Sequence, residues 1–154
     1  AKIVKLNYPN VKFDLVGSED ESLDAIPIEE VTSWSSHVNY CGATNDVRQY
    51  IEKCHVYVLP SYHEGLPRST LEAMSMGRPV ITTNAVGCKE TVNDGANGFM
   101  VPVGSITKLA EKMVWFIENK DKIQKMGDES RRIIEDKFDV RKVNKEMLRI
   151  LDIK

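Results

Sequence analysis

The chain has 154 residues, of which 42% are hydrophobic and 29% are charged, a composition ordinary for a globular domain with its own core. Its net charge of −2 gives no electrostatic basis for binding nucleic acid, and no apolar run approaches the roughly 20 residues that span a bilayer. The three cysteines are an odd number without the spacing of metal ligands, so we expect reduced thiols, no metal site and a cytoplasmic location.

The first two thirds of the chain alternate between strand and helix patterns. The opening residues 1–6 have the pattern of a helix end, and strands are predicted at residues 11–16, 37–41, 55–59, 79–83 and 99–101. Between the strands, helices are predicted at residues 27–35, 46–53 and 68–76, with a short turn near residues 88–92. This alternation predicts an α/β fold with a doubly wound parallel sheet.

The last third of the chain changes to three amphipathic helices, predicted at residues 105–118, 121–137 and 139–153. Each begins with Ser or Asp, which favour the N-cap position: Ser105, Asp121 and Asp139. A parallel strand ordinarily follows a partner strand and a crossover helix, yet the first strand comes soon after residue 1. We therefore expect one domain over residues 1–154 that lacks preceding sequence.

The most informative segment follows the third predicted strand. That strand is stopped by Pro60, turn formers follow at Gly65 and Pro67, and a helix is predicted from Arg68. In open α/β sheets, ligands bind in the crevice at the carboxyl ends of the strands. The sequence therefore places Glu64 in a ligand crevice.

The residue types of this junction indicate the kind of ligand. Amides near the helix start, including those of Leu66 and Ser69, favour an anion such as phosphate, whereas Pro67 has no N–H to donate. The carboxylates of Glu64 and Glu72 repel phosphate but accept hydrogen bonds from hydroxyls. A nucleoside diphosphate sugar, which has a ribose at one end and a hexose at the other, fits this arrangement.

The same residues resemble a known family. Glu64 and Glu72 form a Glu-x7-Glu pattern, and further elements follow in order: Ala73-Met74, Gly77, Pro79-Val80-Ile81-Thr82-Thr83, Gly87, Glu90, Asp94-Gly95, Asn97-Gly98-Phe99 and Val101-Pro102. From about Asn10 to about Phe138, the chain resembles the C-terminal half of a retaining glycosyltransferase of family 4 with the GT-B fold. The similarity is greatest to bacterial capsule, O-antigen and glycan-assembly transferases.

The resemblance implies roles for individual residues. Glu64 would contact the hydroxyls of the transferred sugar and stabilise oxocarbenium charge, and Glu72 would accept hydrogen bonds from the ribose hydroxyls. The donor-binding residues it implies are Glu72, Gly65, Leu66, Pro67, Ser69, Gly17, Ala43 and Thr44. Many relatives have Gly at the position of Pro67, so one amide contact is lost here. The loops at Gly17 and at Ala43-Thr44 are equally compatible with plain turns.

The resemblance also implies partners. The donor would be a nucleoside diphosphate sugar, most simply a UDP-sugar, and no cofactor is expected. A saccharide or lipid-linked acceptor would bind an N-terminal domain that this chain does not include, and any membrane contact would be peripheral and made by that domain. Relatives carry diphosphate-binding Arg and Lys residues outside this region, so we expect weak binding and no catalysis by this chain alone.

Two other functions remain open from the sequence. One is a noncatalytic module that binds a nucleotide sugar. The other is a different enzyme of the GT-B fold, such as a sugar-nucleotide epimerase or a relative of sucrose or glycogen synthase, because fold alone does not decide function.

Overall fold

The computed structural model describes residues 1–19 and 25–152, and five strands alternate with helices along them. All strand pairs in this part of the chain are parallel, which confirms the predicted α/β class. The strands divide into a sheet of two and a sheet of three rather than forming one continuous ladder. Each sheet belongs to one of two compact units of the chain, Ala1–Lys53 and Cys54–Lys154.

The first unit contains a two-stranded sheet with short helices. Its elements are α1 (Lys2–Asn7), β1 (Asp14–Val16), α2 (Ile28–Ser33), β2 (Asn39–Gly42) and α3 (Arg48–Ile51). The register of β1 against β2 shifts between Leu15 and Val16, which limits the regular ladder. Both strands begin later than the sequence predicted, and neither contains a fully buried residue.

The second unit contains a three-stranded sheet covered by longer helices. Its elements are β3 (Tyr57–Leu59), α4 (Arg68–Ser75), β4 (Val80–Thr83), a 3-10 turn (Cys88–Glu90), β5 (Gly98–Val101), α5 (Ile106–Glu118), α6 (Asp121–Lys137) and α7 (Val140–Ile150). Strand β4 lies between β3 and β5, and all four of its residues are buried. A run of β-branched residues fits a strand that is covered on both faces.

Successive side chains of this sheet point to opposite faces and form two apolar clusters. Ile81 packs with residues of α5 and α6 such as Phe116 and Met126, whereas Val80 packs with Met74 of α4 and Ile133 of α6. Helix α6 thus contributes to both clusters. The helices on the two faces are the layers that the α/β pattern predicted.

Two glycines permit close backbone contacts within this unit. A Cβ atom at Gly98 would overlap the backbone of Val80 on the neighbouring strand. A Cβ atom at Gly127 in α6 would overlap the carbonyl group of Gly77, which follows α4. Any larger residue at these positions would force strands or helices apart.

The prediction that Ser105, Asp121 and Asp139 cap the last three helices is only partly correct. Asp139 caps α7 as predicted, because its side chain accepts a hydrogen bond from the Arg141 amide. Ser105 occupies the N-cap of α5 without a side-chain cap bond, and Asp121 is the first residue of α6 instead of its cap. The Asp121 carboxylate instead forms an exposed ion pair with the next residue, Lys122.

The last helix ends at Ile150, and its predicted end at residue 153 lies outside the described residues. Within residues 1–19 and 25–152, no helix combines the length and apolar character needed to cross a membrane.

Candidate functional site

The loop between β3 and α4 carries the predicted site. Glu64 is half-buried in this loop, and Pro67 is the buried N-cap residue of α4. The first helical hydrogen bonds run from the amides of Thr70 and Leu71 to the Pro67 carbonyl. The amides of the two preceding helical residues therefore lie outside the helical ladder, where they can meet an anion.

A hydrogen-bonded pair that the sequence did not predict orients the Glu64 side chain. The Ser61 hydroxyl donates to Oε1 of Glu64 at 2.7 Å. The hydroxyl of Thr83, at the end of β4, donates to the Ser61 carbonyl oxygen at 2.5 Å. The sequence contained one signal for Ser61, which is a polar residue directly after the strand and its Pro60.

The backbone of the same loop lies on the turn that follows β4. The Glu64 amide donates to the Val86 carbonyl oxygen at 3.2 Å. Gly87 has a φ of 79°, and a Cβ atom there would overlap the carbonyls of Glu64 and Gly65. Glycine is thus required at position 87 by both its conformation and the space available.

Three of the predicted residues, Glu64, Ser69 and Glu72, influence the pKa of the Tyr57 phenol. Burial raises the pKa of the Tyr57 phenol above its ordinary value, a hydrogen bond with Ser69 opposes the rise, and the carboxylates of Glu64 and Glu72 add to it. The side chain of Glu72 is exposed on α4. Tyr57 is thus electrostatically coupled to both carboxylates and hydrogen-bonded to Ser69, a link that sequence reasoning missed because Tyr57 resembled an ordinary strand residue.

The remaining predicted residues lie in the first unit, at the carboxyl ends of β1 and β2. The Gly17 amide donates to the Gly42 carbonyl at 3.0 Å, and the Tyr40 hydroxyl donates to the Gly17 carbonyl at 2.9 Å. The Thr44 hydroxyl donates to the Asp46 carbonyl and accepts from its amide. These hydrogen bonds stabilise both loops as turns. Contact of Gly17, Ala43 and Thr44 with a ligand stays a prediction.

A cavity of about 260 Å³ adjoins Gly17 in this first unit. Apolar side chains from β1 and α2 line most of it, including Leu15, Ile28 and Val31, with Tyr40 at its polar side. Gly17 and the Ala43-Thr44 turn thus form one group, and the residues from Glu64 to Glu72 form another in the second unit.

The titratable residues offer few other sites. All three cysteines are free, and Cys88 is fully buried. Burial raises the pKa of the Cys41 thiol, and the Asp14 carboxylate adds to the rise, so this thiol is a poor nucleophile. In the part of the chain that the structure describes, no group of three or more His, Cys, Asp or Glu residues could hold a metal ion.

The fold and the site together define a parallel α/β domain whose ligand edge combines a helix start with two carboxylates. The chain belongs to the glycosyl transferases group 1 family, whose model matches residues 1–119.

Individual relatives support this assignment. An uncharacterized glycosyltransferase of Haemophilus influenzae is 31% identical over 131 residues, covering 84% of this chain and 37% of that protein. The N,N'-diacetylbacillosaminyl-diphospho-undecaprenol alpha-1,3-N-acetylgalactosaminyltransferase of Campylobacter jejuni is 32% identical over 108 residues, covering 70% of this chain and 28% of that protein. The chain therefore spans about a third of the length of these relatives.

A solved structure agrees with the sequence relatives. Anabaena HepE in complex with UDP matches with a TM-score of 0.85 at 27% identity, covering 94% of this chain and 41% of that chain. The similarity extends over nearly the whole of the present chain, so both compact units correspond to parts of that structure.

Proposed function

We propose that this chain is the donor-binding part of a retaining glycosyltransferase of family 4. The enzyme would move a sugar from a UDP-sugar to a saccharide or lipid-linked saccharide acceptor in the synthesis of a surface polysaccharide or glycan. The observation that carries the proposal is the placement of Glu64 in the loop that enters α4 at Pro67, with Glu72 on that helix. The names of the Campylobacter and Anabaena relatives support the acceptor and the UDP donor, respectively.

The chemistry of these groups suits a donor with hydroxyls at both ends of a diphosphate. Amides at the start of α4 stabilise the diphosphate, and the family resemblance adds basic residues from outside this chain. We therefore propose that donor binding needs no metal cofactor. Glu72 would accept hydrogen bonds from the ribose, and Glu64 would accept them from the hexose.

In the proposed reaction, the acceptor hydroxyl attacks the anomeric carbon on the face from which the diphosphate leaves. The new carbon–oxygen bond forms as the bond to the β-phosphate oxygen breaks, and that phosphate oxygen takes the acceptor proton. Glu64 stabilises the positive charge that develops on the sugar, and the α4 amides stabilise the departing diphosphate.

The two carboxylates should respond differently to replacement in the whole transferase. Glu72→Ala should weaken UDP binding by about 1.5–3 kcal/mol, because ribose hydrogen bonds to a charged acceptor are lost. Glu64→Ala should leave UDP binding unchanged and remove most turnover. Calorimetry with UDP and a donor-panel assay with lipid-diphosphate acceptors measure these effects, and EDTA should leave the UDP affinity unchanged.

The matched control is Glu111→Ala, since this exposed glutamate on α5 forms only a surface ion pair with Lys108. Normal turnover by Glu64→Ala would contradict the assignment of Glu64. UDP binding without turnover of any donor would favour a noncatalytic module, and donor conversion without an acceptor would favour another GT-B enzyme.

The stereochemistry provides a second test. An α-linked UDP-sugar should give an α-linked product, because leaving phosphate and acceptor use the same face of the sugar. Proton NMR of the product determines the anomeric configuration. A β-linked product would show inversion and would require a general base that the proposed mechanism does not contain.

A further inference from the structure

We propose that Ser61 and Thr83 are positioning residues that hold the Glu64 carboxylate in the orientation needed for sugar transfer. The inference rests on the proposed function, in which Glu64 contacts the transferred sugar. It concerns two residues to which the family pattern gave no role, and it follows from the contacts of the loop after β3.

The loop needs such a device because the backbone ladder stops before it. The register between β3 and β4 ends at Leu59 and Thr82, and Pro60 has no N–H with which to continue it. Beyond that point, the Thr83 hydroxyl donates to the Ser61 carbonyl at 2.5 Å. A side chain of β4 thus extends the connection between the strands into the loop.

Ser61 transmits this connection to the carboxylate. With its backbone fixed by Thr83, its hydroxyl donates to Oε1 of Glu64 at 2.7 Å. One carboxylate offers about four acceptor positions, so this bond leaves Oε2 and part of Oε1 available for the hydroxyls of a sugar. The bond reduces the side-chain freedom that donor binding would otherwise have to remove.

The backbone of Glu64 is already held, which leaves its side-chain torsions as the remaining freedom. Its amide donates to Val86, and its carbonyl lies against Gly87. Because these contacts fix the Cα position, loss of the Ser61 hydroxyl should alter the carboxylate without displacing the loop. Ser61 and Thr83 can therefore be tested separately from folding.

Thr82 provides a matched control on the same strand. It is buried like Thr83, and its hydroxyl also donates to a carbonyl of the β3 chain, that of Leu59 at 2.9 Å. Leu59 precedes the loop and belongs to the regular ladder, so the Thr82 bond ends at β3 and does not reach Ser61 or Glu64. Thr82→Val and Thr83→Val thus each remove one buried hydroxyl, but only the Thr83 hydroxyl is hydrogen-bonded to Ser61.

The experiment measures turnover, donor KM, UDP affinity and thermal stability of variants of the whole transferase. Ser61→Ala and Thr83→Val should each lower kcat roughly 10- to 100-fold, the size expected for misplacing a reacting group, with little change in donor KM or UDP affinity. Ser61→Thr keeps a hydroxyl and should restore most of kcat. Thr82→Val should lower thermal stability as much as Thr83→Val while kcat stays normal.

A double variant completes the test. When Glu64 is already alanine, Ser61→Ala should reduce kcat no further, because Ser61 acts through that carboxylate. Equal losses of kcat in Thr82→Val and Thr83→Val would overturn the proposal, as would a normal kcat in Ser61→Ala. If Glu64→Ala abolishes turnover while Ser61→Ala keeps a normal kcat, only the positioning role fails; if Glu64→Ala is active, the proposed function fails as well.

Discussion

The two compact units differ in how their backbones are held. In residues 1–19 and 25–53, the only buried side chains are Val4 and Ile51. In the described part of the second unit, every residue of β4 is buried and two apolar clusters cover the sheet. The first unit therefore depends largely on turn hydrogen bonds, whereas the second has the apolar burial that dominates folding stability.

This difference bears on the candidate site. The group from Glu64 to Glu72 belongs to the well-packed unit, where the backbone of its loop is held by Val86 and Gly87. The group of Gly17, Ala43 and Thr44 lies on turns of the thinly packed unit, which have lower local stability. The lesson is that the two parts of the predicted donor site need not be ordered to the same degree.

The largest expected effect is a contrast between two glycine substitutions. Gly98→Ala should destabilise the second unit by more than about 3 kcal/mol, because the new methyl group overlaps the Val80 backbone. Gly17→Ala should change stability by less than about 0.5 kcal/mol, since its Cβ would meet no atom of residues 1–19 and 25–152 within 4 Å. Urea unfolding followed by fluorescence reports on both units, through Trp34 and Trp115. Similar losses for the two variants would remove the distinction.

Two threonine substitutions, one in each unit, should change stability by an intermediate amount and in opposite directions. The buried Thr70 hydroxyl has no hydrogen-bond partner among residues 1–19 and 25–152, so Thr70→Val should stabilise the protein by about 1 kcal/mol. Thr44→Val should destabilise it by about 1 kcal/mol, because two hydrogen bonds to the Asp46 backbone are lost. Denaturant midpoints measure both changes, and a destabilised Thr70→Val variant would show that the hydroxyl is satisfied in solution.

The smallest expected effect is a pH dependence in the second unit. Burial raises the pKa of Tyr57 in the folded state, and the nearby carboxylates add to the rise. Above pH 10 the unfolded chain loses this proton first, so the free energy of unfolding should fall as pH approaches the folded pKa. Tyr57→Phe should lack this component of the decline. Urea titrations at pH 8 and above pH 10 test it, and identical pH slopes for both proteins would exclude it.

Much of the fold could be predicted because the local signals were strong. The β-branched run predicted a strand at residues 79–83, and the observed strand β4 is Val80–Thr83. The helical pattern predicted a helix at residues 68–76, and the observed helix α4 is Arg68–Ser75. For β1, the predicted end at Val16 is confirmed, but the strand begins at Asp14 instead of residue 11, and the register shift against β2 inside it was not predicted. Such a shift depends on a partner strand that is distant in sequence.

The candidate site shows the same division. Glu64 and Glu72 are eight positions apart on one loop–helix junction, so the sequence alone could place them near each other. The contact between Ser61 and Thr83 joins residues 22 positions apart and depends on the β3–β4 register. The neighbourhood of Tyr57 likewise depends on which sheet face α4 covers. Tertiary register therefore decides the supporting contacts that sequence patterns miss.

The contact at Gly87 has a consequence for how this scaffold can diversify. The site loop and the turn after β4 pack directly against each other, because the carbonyls of Glu64 and Gly65 occupy the space that a side chain at position 87 would need. An insertion in one loop would require a matching change in the other. Substitutions in this loop should therefore be tolerated best at Tyr62 and His63, whose side chains are exposed.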